Sequence, residues 1–307
     1  MSKVVILLSD KRSGSTMLQE AMCRHPDIRH VAYSPHTYFE THHWLKSAVL
    51  LDLPAALYSG GRVYPGYGSR ENARAYIEDT LKGNIPGYEL PQNDRALCFE
   101  GWEALCRHYA KPVFFEKSPQ ILAQWGALDL LLEWMGRTEL DVRLIGLVRN
   151  PLAVQYSAEK LFSTDPNDRQ FGWLEIQRNL LALRALLPEK KLKIVRYEDI
   201  IDDPDSALAG LCDFVGVEPV EGLGTAVHGG SKEKWRGDAD YSLPLHSAVR
   251  RIAGALGYDA AELDTPDGAG SRTSRGRSRS AFQLRFAAWR DRWLRPLKLR
   301  IGKLLGR

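Results

Sequence analysis

The chain has 307 residues, 44% of them hydrophobic, which is enough to bury the core of one large domain or of two small ones. Its four cysteines have neither metal-site nor redox spacing, so buried free thiols are expected and a disulfide framework is not. Met1 leads directly into the first predicted strand without a signal peptide, and no apolar run has the length of a membrane span. A cytoplasmic protein is therefore expected.

The formal net charge of +4 is unevenly distributed along the chain. Residues 271–307 contain 12 Lys and Arg side chains and one acidic residue, Asp291, and therefore carry a charge of +11. The preceding residues 1–270 carry −7. This division predicts a mildly acidic body followed by a basic segment with a separate role.

Short apolar runs alternate with segments of helical periodicity along the body. Strands are predicted over Lys3–Leu8, Lys111–Glu116, Val142–Val148 and Leu192–Val195. Helices are predicted from Pro151 onwards and over 41–58, 70–82, 95–109, 120–135, 172–187, 206–215 and 244–256. The alternation favours an α/β fold with a central parallel β-sheet flanked by helices on both faces.

The segment that follows the first strand predicts an anion-binding loop. Arg12-Ser13-Gly14-Ser15-Thr16 is polar and contains glycine, and helical periodicity begins at Met17. The N–H groups of a first helical turn point at whatever lies before it, and Arg12 adds a full charge. A phosphate or sulfate group is the expected ligand, and a polar turn without a ligand is the alternative. Ser15 stands where a Walker loop has lysine, which argues against a Mg²⁺-dependent P-loop kinase.

Cationic side chains also stand at the ends of the other predicted strands. They are Lys117, Arg149 and Arg196. The ligand of an open parallel sheet lies beyond the carboxyl ends of its strands. These three side chains and Arg12 are therefore expected to surround one multiply anionic small molecule.

Four segments, in order, resemble the sulfotransferases that use 3′-phosphoadenosine 5′-phosphosulfate (PAPS), in particular the glycan and tyrosyl-protein branches. They are Arg12-Ser13-Gly14-Ser15-Thr16, Glu116-Lys117-Ser118-Pro119, Arg149-Asn150-Pro151 with Ser157, and Arg196-Tyr197-Glu198-Asp199. Downstream, Ser231–Trp235 and Leu256–Tyr258 resemble the family's closing loop and final helix. The resemblance spans about residues 3–260. It implies a P-loop-like three-layer fold and transfer of a sulfuryl group from PAPS to a hydroxyl.

The resemblance also implies roles for individual residues. Arg12 would contact the 5′-phosphate and the leaving oxygen, and Lys117 would stand near the sulfuryl group and the acceptor. Arg149 and Ser157 would hold the 3′-phosphate, and Tyr197 would lie near the nucleotide. The implied PAPS-binding set is Arg12, Ser13, Gly14, Ser15, Thr16, Met17, Arg149, Ser157, Tyr197, Lys234 and Trp235. No metal is expected, because cations and helix N–H groups can neutralise the charge on the bridging oxygen.

The proton acceptor is where the sequence departs from the family. In glycan-type relatives a glutamate follows a His-Pro-Asp element, and the aligned positions here are Ser34 or Thr37, neither of which is a base. The remaining candidates are His36 and Glu40. His36 is preferred because its pKa suits the role, and the absence of any base is the third possibility.

The same segment contains a group of histidines. His36, His42 and His43 are not expected to bind a metal, because no carboxylate or cysteine completes a usual ligand set at standard spacing. The candidate catalytic residues are therefore His36, Glu40, Lys117 and Arg12, with no metal among them.

The acceptor side is expected within residues 38–110, which are rich in aromatic side chains. Aromatic faces suit sugars, lipids and phenols, so a glycan or glycolipid is the favoured acceptor and its class stays open. No nucleic acid is expected, because no base-reading module is present. Two competing functions are kept: a P-loop-type nucleotide kinase, and a non-catalytic relative that binds PAPS or adenosine 3′,5′-bisphosphate (PAP).

The chain is predicted to divide into three parts. A sulfotransferase domain over 1–264 precedes a flexible linker over 265–280, which is rich in Pro, Gly, Ser and Arg. A basic amphipathic helix or tail occupies 281–307, with large aromatic residues opposite its charges. This composition predicts docking on an anionic membrane surface at the cytoplasmic face. Packing against the acidic body and a disordered tail are the alternatives.

Overall fold

The computed structural model describes residues 2–36, 38–53 and 68–265, and the backbone of 57–59 and 62–64. The strands are β1 (Lys3–Ser9), β2 (Ile28–Arg29), β3 (Leu57–Ser59), β4 (Arg62–Tyr64), β5 (Val113–Lys117), β6 (Asp141–Val148) and β7 (Leu192–Arg196). Five of them form a parallel sheet in the order β2-β5-β1-β6-β7, and β3 and β4 form an antiparallel pair.

Helices connect the strands of this sheet. They are α1 (Ser15–Met22), α2 (His43–Leu50), α3 (Arg70–Asn84), α4 (Asp94–Tyr109), α5 (Trp125–Met135), α6 (Pro151–Phe162), α7 (Pro166–Leu186), α8 (Tyr197–Asp202), α9 (Pro204–Val215) and α10 (Ser247–Ala255). Short 3₁₀ turns cover Pro119–Ala123, Leu223–Ala226, Gly229–Ser231 and Ala261–Leu263. The predicted α/β class with a central parallel sheet is confirmed.

The core lies on both faces of β1, the middle strand of the sheet. Val4, Ile6 and Leu8 belong to one hydrophobic cluster, which the aromatic side chains of α2, α4 and α5 help to fill. Val5 and Leu7 belong to the other cluster, packed under α1 and α9. Successive side chains of a strand point to opposite faces, so a strand covered on both sides has a continuous apolar sequence. The three layers follow from this burial.

Several predicted boundaries are wrong in detail. The helix predicted over 41–58 is only α2, since Asp52 adopts a positive φ of 58° and the chain continues to β3. The helix predicted over 120–135 is a 3₁₀ turn followed by α5, because Gln124 has extended backbone between them. The two-residue strand β2 is too short for a periodic signal, and α8 begins directly at the end of β7.

Within the described part of the chain, none of the helices combines the length and the apolar character needed to cross a membrane. The predicted basic helix or tail over 281–307 lies outside the described residues, as does all of the predicted linker beyond Thr265.

Candidate active site

The loop between β1 and α1 forms one wall of the site. Arg12 and Gly14 both have positive φ, 73° and 91°, so the chain turns sharply before α1 begins at Ser15. A Cβ atom at residue 14 would lie 2.5 Å from the ring of Tyr197, which leaves glycine as the residue that fits. Ser13 Oγ is buried without a hydrogen-bond partner among the described residues. A helix N-terminus with an unused buried hydroxyl beside it suits a bound anion.

The parallel register brings the ends of the other strands to this loop. Leu7 of β1 pairs with Lys117 of β5, and Ser9 of β1 pairs with Leu147 of β6, two residues before Arg149. Each strand therefore delivers its first polar side chains to the same edge of the sheet.

Arg149 and Ser157 lie on the far side of the loop from Lys117. Arg149 Nη1 donates a hydrogen bond to the carbonyl of Arg12 at 2.9 Å, and its guanidinium lies 4.3 Å from the ring centre of Tyr197. Arg12 Nε donates to Ser157 Oγ at 3.0 Å. Burial lowers the pKa of Arg149. The structure thus brings Arg12, Arg149, Ser157 and Tyr197 into one cluster beside Gly14.

Lys117 links this loop to the segment before α2. Its side chain is fully buried, and Nζ donates to Thr16 Oγ1 at 3.1 Å and to Glu40 Oε1 at 3.0 Å. An ammonium group removed from water in this way needs such partners, because a buried unpaired charge is costly. Lys117 therefore connects the first turn of α1 with the carboxylate of Glu40.

Glu40 is a buried carboxylate between two histidines. Its Oε2 lies 2.8 Å from His42 Nε2 and 3.6 Å from His36 Nδ1. Burial by itself raises the pKa of Glu40, but the hydrogen bond to His42 and the charge of Lys117 outweigh it and bring the pKa down to about 2. Burial lowers the pKa of His42. Glu40 is consequently ionised at neutral pH.

Of the three histidines grouped in the sequence, His36 and His42 lie beside Glu40 and His43 does not. His43 lies in the core, where its Nε2 is 2.7 Å from the carbonyl of Cys98 and burial lowers its pKa to about 4. Glu40 takes its place: ligand-capable atoms of His36, Glu40 and His42 all lie within 4.8 Å of one another. The argument that no carboxylate completes the set is thereby overturned. Positive φ values at Phe39 and His42, 54° and 49°, fold the segment so that Glu40 turns inward.

A second buried carboxyl, Glu116, is hydrogen-bonded to the segment that precedes α2. It accepts hydrogen bonds from Thr41 Oγ1 at 2.7 Å and from the hydroxyl of Ser118. Ser118 Oγ in turn accepts the backbone N–H of His42 at 2.9 Å. Burial raises the pKa of Glu116 to about 7. The sequence analysis gave Glu116, Ser118 and Thr41 no role of their own. The signal available for Glu116 and Ser118 was the resemblance of Glu116-Lys117-Ser118-Pro119 to a family segment.

Two residues of the implied PAPS-binding set, Trp235 and Lys234, are not part of the cluster around Arg12 and Gly14. Trp235 is buried, with its ring 6.5 Å from that of Tyr241 and the guanidinium of Arg236 4.4 Å away. Lys234 is exposed. In the described part of the chain, neither residue has a hydrogen bond, ion pair or ring contact with the loop that contains Arg12. Their predicted contact with the nucleotide stays a prediction.

The sequence also matches known proteins. The sequence profile of the sulfotransferase family matches residues 5–221. Mouse carbohydrate sulfotransferase 4 is 24% identical over 290 residues, which cover 80% of this chain and 73% of the relative.

Solved structures share the fold. The sulfotransferase domain of the Synechococcus PCC 7002 olefin synthase aligns with a TM-score of 0.55 at 23% identity, over 84% of this chain and 94% of that domain. The sulfotransferase domain of the curacin biosynthetic pathway aligns with a TM-score of 0.55 at 19% identity, over 84% of this chain and 99% of that domain. With an anion loop, convergent cations and a family profile over more than two thirds of its length, the chain belongs to the sulfotransferase family and is a sulfotransferase enzyme.

Proposed function

We propose that the enzyme transfers the sulfuryl group of PAPS to a hydroxyl of a carbohydrate-bearing acceptor. The bridge made by Lys117 is the observation that carries this proposal. Its single buried ammonium lies 3.1 Å from Thr16 in the anion loop and 3.0 Å from Glu40. An anion donor site and a carboxylate able to take a proton thus meet at one cation, which is the arrangement that transfer of an anionic group to a hydroxyl requires.

The donor side offers two anion sites. The loop from Arg12 to Thr16 would hold the 5′-phosphosulfate, with Ser13 Oγ supplying a buried hydroxyl that has no protein partner in the described structure. Arg149 and Ser157 would hold the 3′-phosphate, as the resemblance implies. When bound, PAPS supplies the sulfuryl group. Lys117 would stabilise the negative charge that grows on the bridging oxygen.

Glu40 is the better placed of the two candidate proton acceptors. Its Oε1 accepts a hydrogen bond from Lys117, which also bonds Thr16 of the anion loop, whereas His36 Nδ1 lies 3.6 Å from Glu40 Oε2. We therefore assign proton acceptance from the acceptor hydroxyl to Glu40, which reverses the preference for His36. His36 and His42 would hold the carboxylate in position.

A sugar acceptor is supported by the ring that faces Lys117. Tyr38 is 58% exposed, and its ring centre lies 5.5 Å from Lys117 Nζ. An exposed aromatic face next to a cation is a suitable platform for the apolar face of a pyranose. The named activity of the mouse relative, a carbohydrate sulfotransferase, supports the same acceptor class.

Two measurements test this function. Calorimetry with PAP should detect one site per chain, and transfer of ³⁵S from labelled PAPS should modify carbohydrate-bearing acceptors in a panel of extracted glycans and glycolipids. PAP binding without transfer to any acceptor would favour the non-catalytic relative. Absence of PAP binding would contradict the proposed donor site.

We further propose that residues 281–307 attach the enzyme to an anionic membrane surface. The support is compositional: this segment combines basic side chains with Phe282, Phe286, Trp289 and Trp293. Co-sedimentation with phosphatidylserine-containing liposomes compares the full chain with a variant that ends at Leu263. The full chain is expected to pellet and the shortened variant is not. Equal pelleting of the two would contradict the proposal.

A further inference from the structure

The cluster of His36, Glu40 and His42 has a property that sulfuryl transfer does not require. Two imidazole nitrogens and a carboxylate oxygen lie within 4.8 Å of one another at the acceptor end of the site. We propose that these three side chains form a binding site for a divalent transition-metal ion of the Zn²⁺ class, and that occupation of this site inhibits sulfuryl transfer.

The donor set indicates the class of ion. Two imidazoles with one carboxylate suit Zn²⁺, Co²⁺, Ni²⁺ or Fe²⁺, whereas Mg²⁺ and Ca²⁺ prefer oxygen ligands throughout. Bonds of about 2.0–2.2 Å from such an ion to nitrogen and oxygen place neighbouring ligand atoms roughly 3–3.5 Å apart. The observed separations from Glu40 Oε2, 2.8 Å to His42 Nε2 and 3.6 Å to His36 Nδ1, lie on either side of that spacing. Side-chain rotation would bring the three donor atoms to that spacing from separations of at most 4.8 Å.

The side-chain atoms that would bind the ion already face one another. His36 Nδ1 lies 3.6 Å from Glu40 Oε2, and the backbone N–H of Tyr38 approaches the same nitrogen at 3.4 Å. A divalent ion would replace the contacts that both histidines make with Glu40, so its binding requires neutral imidazoles and is expected to weaken as the pH falls.

The positive charge of Lys117 opposes the binding of a metal ion to Glu40. The ammonium group and the ion can nevertheless bind different oxygens of the same carboxylate. Lys117 Nζ bonds Glu40 Oε1, while both histidines face Oε2. One carboxylate oxygen is therefore left for the ion, and the other keeps its hydrogen bond, as is usual for carboxylate ligands of metals. Repulsion from Lys117 lowers the affinity for the ion without removing the ligands.

Inhibition is expected because the metal ion and the acceptor hydroxyl would both use Oε2 of Glu40. This part of the inference rests on the proposed function, in which Glu40 accepts the proton of the acceptor hydroxyl. Lys117 already occupies Oε1, so an ion bound at Oε2 leaves neither oxygen of Glu40 open to the acceptor hydroxyl. Metal occupancy and proton acceptance at Glu40 therefore exclude each other.

Zn²⁺ and Co²⁺ are the probes, used on the full chain without PAPS. Titration calorimetry should find one Zn²⁺ site, and Co²⁺ should give visible ligand-field absorption. His36→Gln and His42→Gln should each weaken Zn²⁺ binding by at least about tenfold, since each removes one ligand. His228→Asn is the matched control, because His228 is exposed and outside the cluster, and it should leave the affinity unchanged. Circular dichroism and the Tm check that each variant is folded.

Activity supplies the second readout. Zn²⁺ should inhibit ³⁵S transfer over the concentration range in which it binds, and a chelator should restore the rate. Equal Zn²⁺ affinity in the wild type and in the double variant His36→Gln/His42→Gln would overturn the proposed site. Binding at the cluster without inhibition would overturn the exclusion. Histidine-dependent Zn²⁺ binding by a chain that fails to bind PAP would leave the metal site standing and reject the proposed function instead.

Discussion

The two halves of the site are built in different ways. The donor half, around Arg12, Gly14 and Arg149, consists of backbone turns and strand ends whose positions follow from a parallel sheet. The acceptor half, around Glu40 and Lys117, depends on side chains about 80 residues apart in sequence that meet in a buried network. The comparison teaches that the donor and acceptor residues rest largely on different structural supports, which are joined at Lys117. Variants at residues other than Lys117 should therefore be able to abolish donor binding without abolishing catalysis at the acceptor side, or the reverse.

The largest separation is expected from Glu40→Gln. Loss of the proton acceptor should lower kcat by about 10³-fold, within the range typical of general bases, while PAP affinity changes by less than about twofold. Steady-state kinetics and PAP calorimetry measure the two effects. Glu139→Gln, at an exposed ion pair on the protein surface, is the control and should retain wild-type kcat. A Glu40→Gln enzyme with normal kcat would assign proton acceptance to His36 or to no residue.

Arg149→Ala tests the donor half of the site. Removing a buried guanidinium that faces both the Arg12 carbonyl and the Tyr197 ring should weaken PAP binding by about 100-fold, because charge-assisted bonds to phosphate are the strong ones. The Zn²⁺ affinity of the Glu40 cluster should stay the same. Arg107→Ala, at an exposed position of α4, should bind PAP normally. Undiminished PAP affinity in Arg149→Ala would show that the donor site is placed wrongly.

Gly14→Ala measures how strictly the donor loop depends on its backbone. A methyl group there would meet the Tyr197 ring at 2.5 Å and would hold alanine at a φ of 91°. The free energy of unfolding should fall by about 2–3 kcal/mol, and PAP binding should weaken with it. Urea denaturation gives the first quantity. Gly87→Ala is a matched control for strain alone, since its φ is 72° and no atom lies within 4 Å of the added Cβ. Equal losses in both variants would mean that Tyr197 contact contributes nothing.

The smallest expected effect is a pH-dependent change in the free energy of unfolding, caused by Glu116. Burial raises its pKa to about 7 in the folded chain, above the ordinary value of 4.5. Folding then favours the protonated form, so its contribution is present below pH 4.5 and is lost as the pH rises towards about 7. Relative to Glu116→Gln, the wild type should lose about 2 kcal/mol of unfolding free energy between pH 5 and 7.5. Parallel pH profiles would contradict a buried neutral carboxyl.

The donor half could be predicted from the sequence because its signals are local. A polar turn with Gly14 between an apolar strand and a helix favours an anion site, and the cation after the next strand places Arg149 beside it once the sheet is parallel. Lys117 follows from the same rule. The position of Tyr197 followed from the family resemblance. The acceptor half has no comparable signal, since His36, Glu40 and His42 are spaced neither as a helix face nor as a strand face.

The sequence by itself determined the fold class, the anion loop and three of the four cations predicted around it, because the ligand edge of a parallel sheet lies at the carboxyl ends of its strands. The prediction for the fourth, Arg196, is wrong: it pairs with Glu262 and the carbonyl of Gly257 instead. Only the tertiary structure decided that Glu40 rather than His43 joins His36 and His42, that Glu116 supports the segment from below, and that Trp235 packs in the core against Tyr241. The physical reason is that two positive-φ turns and a network of buried hydrogen bonds set those orientations. Both depend on contacts between distant segments, which no local pattern records.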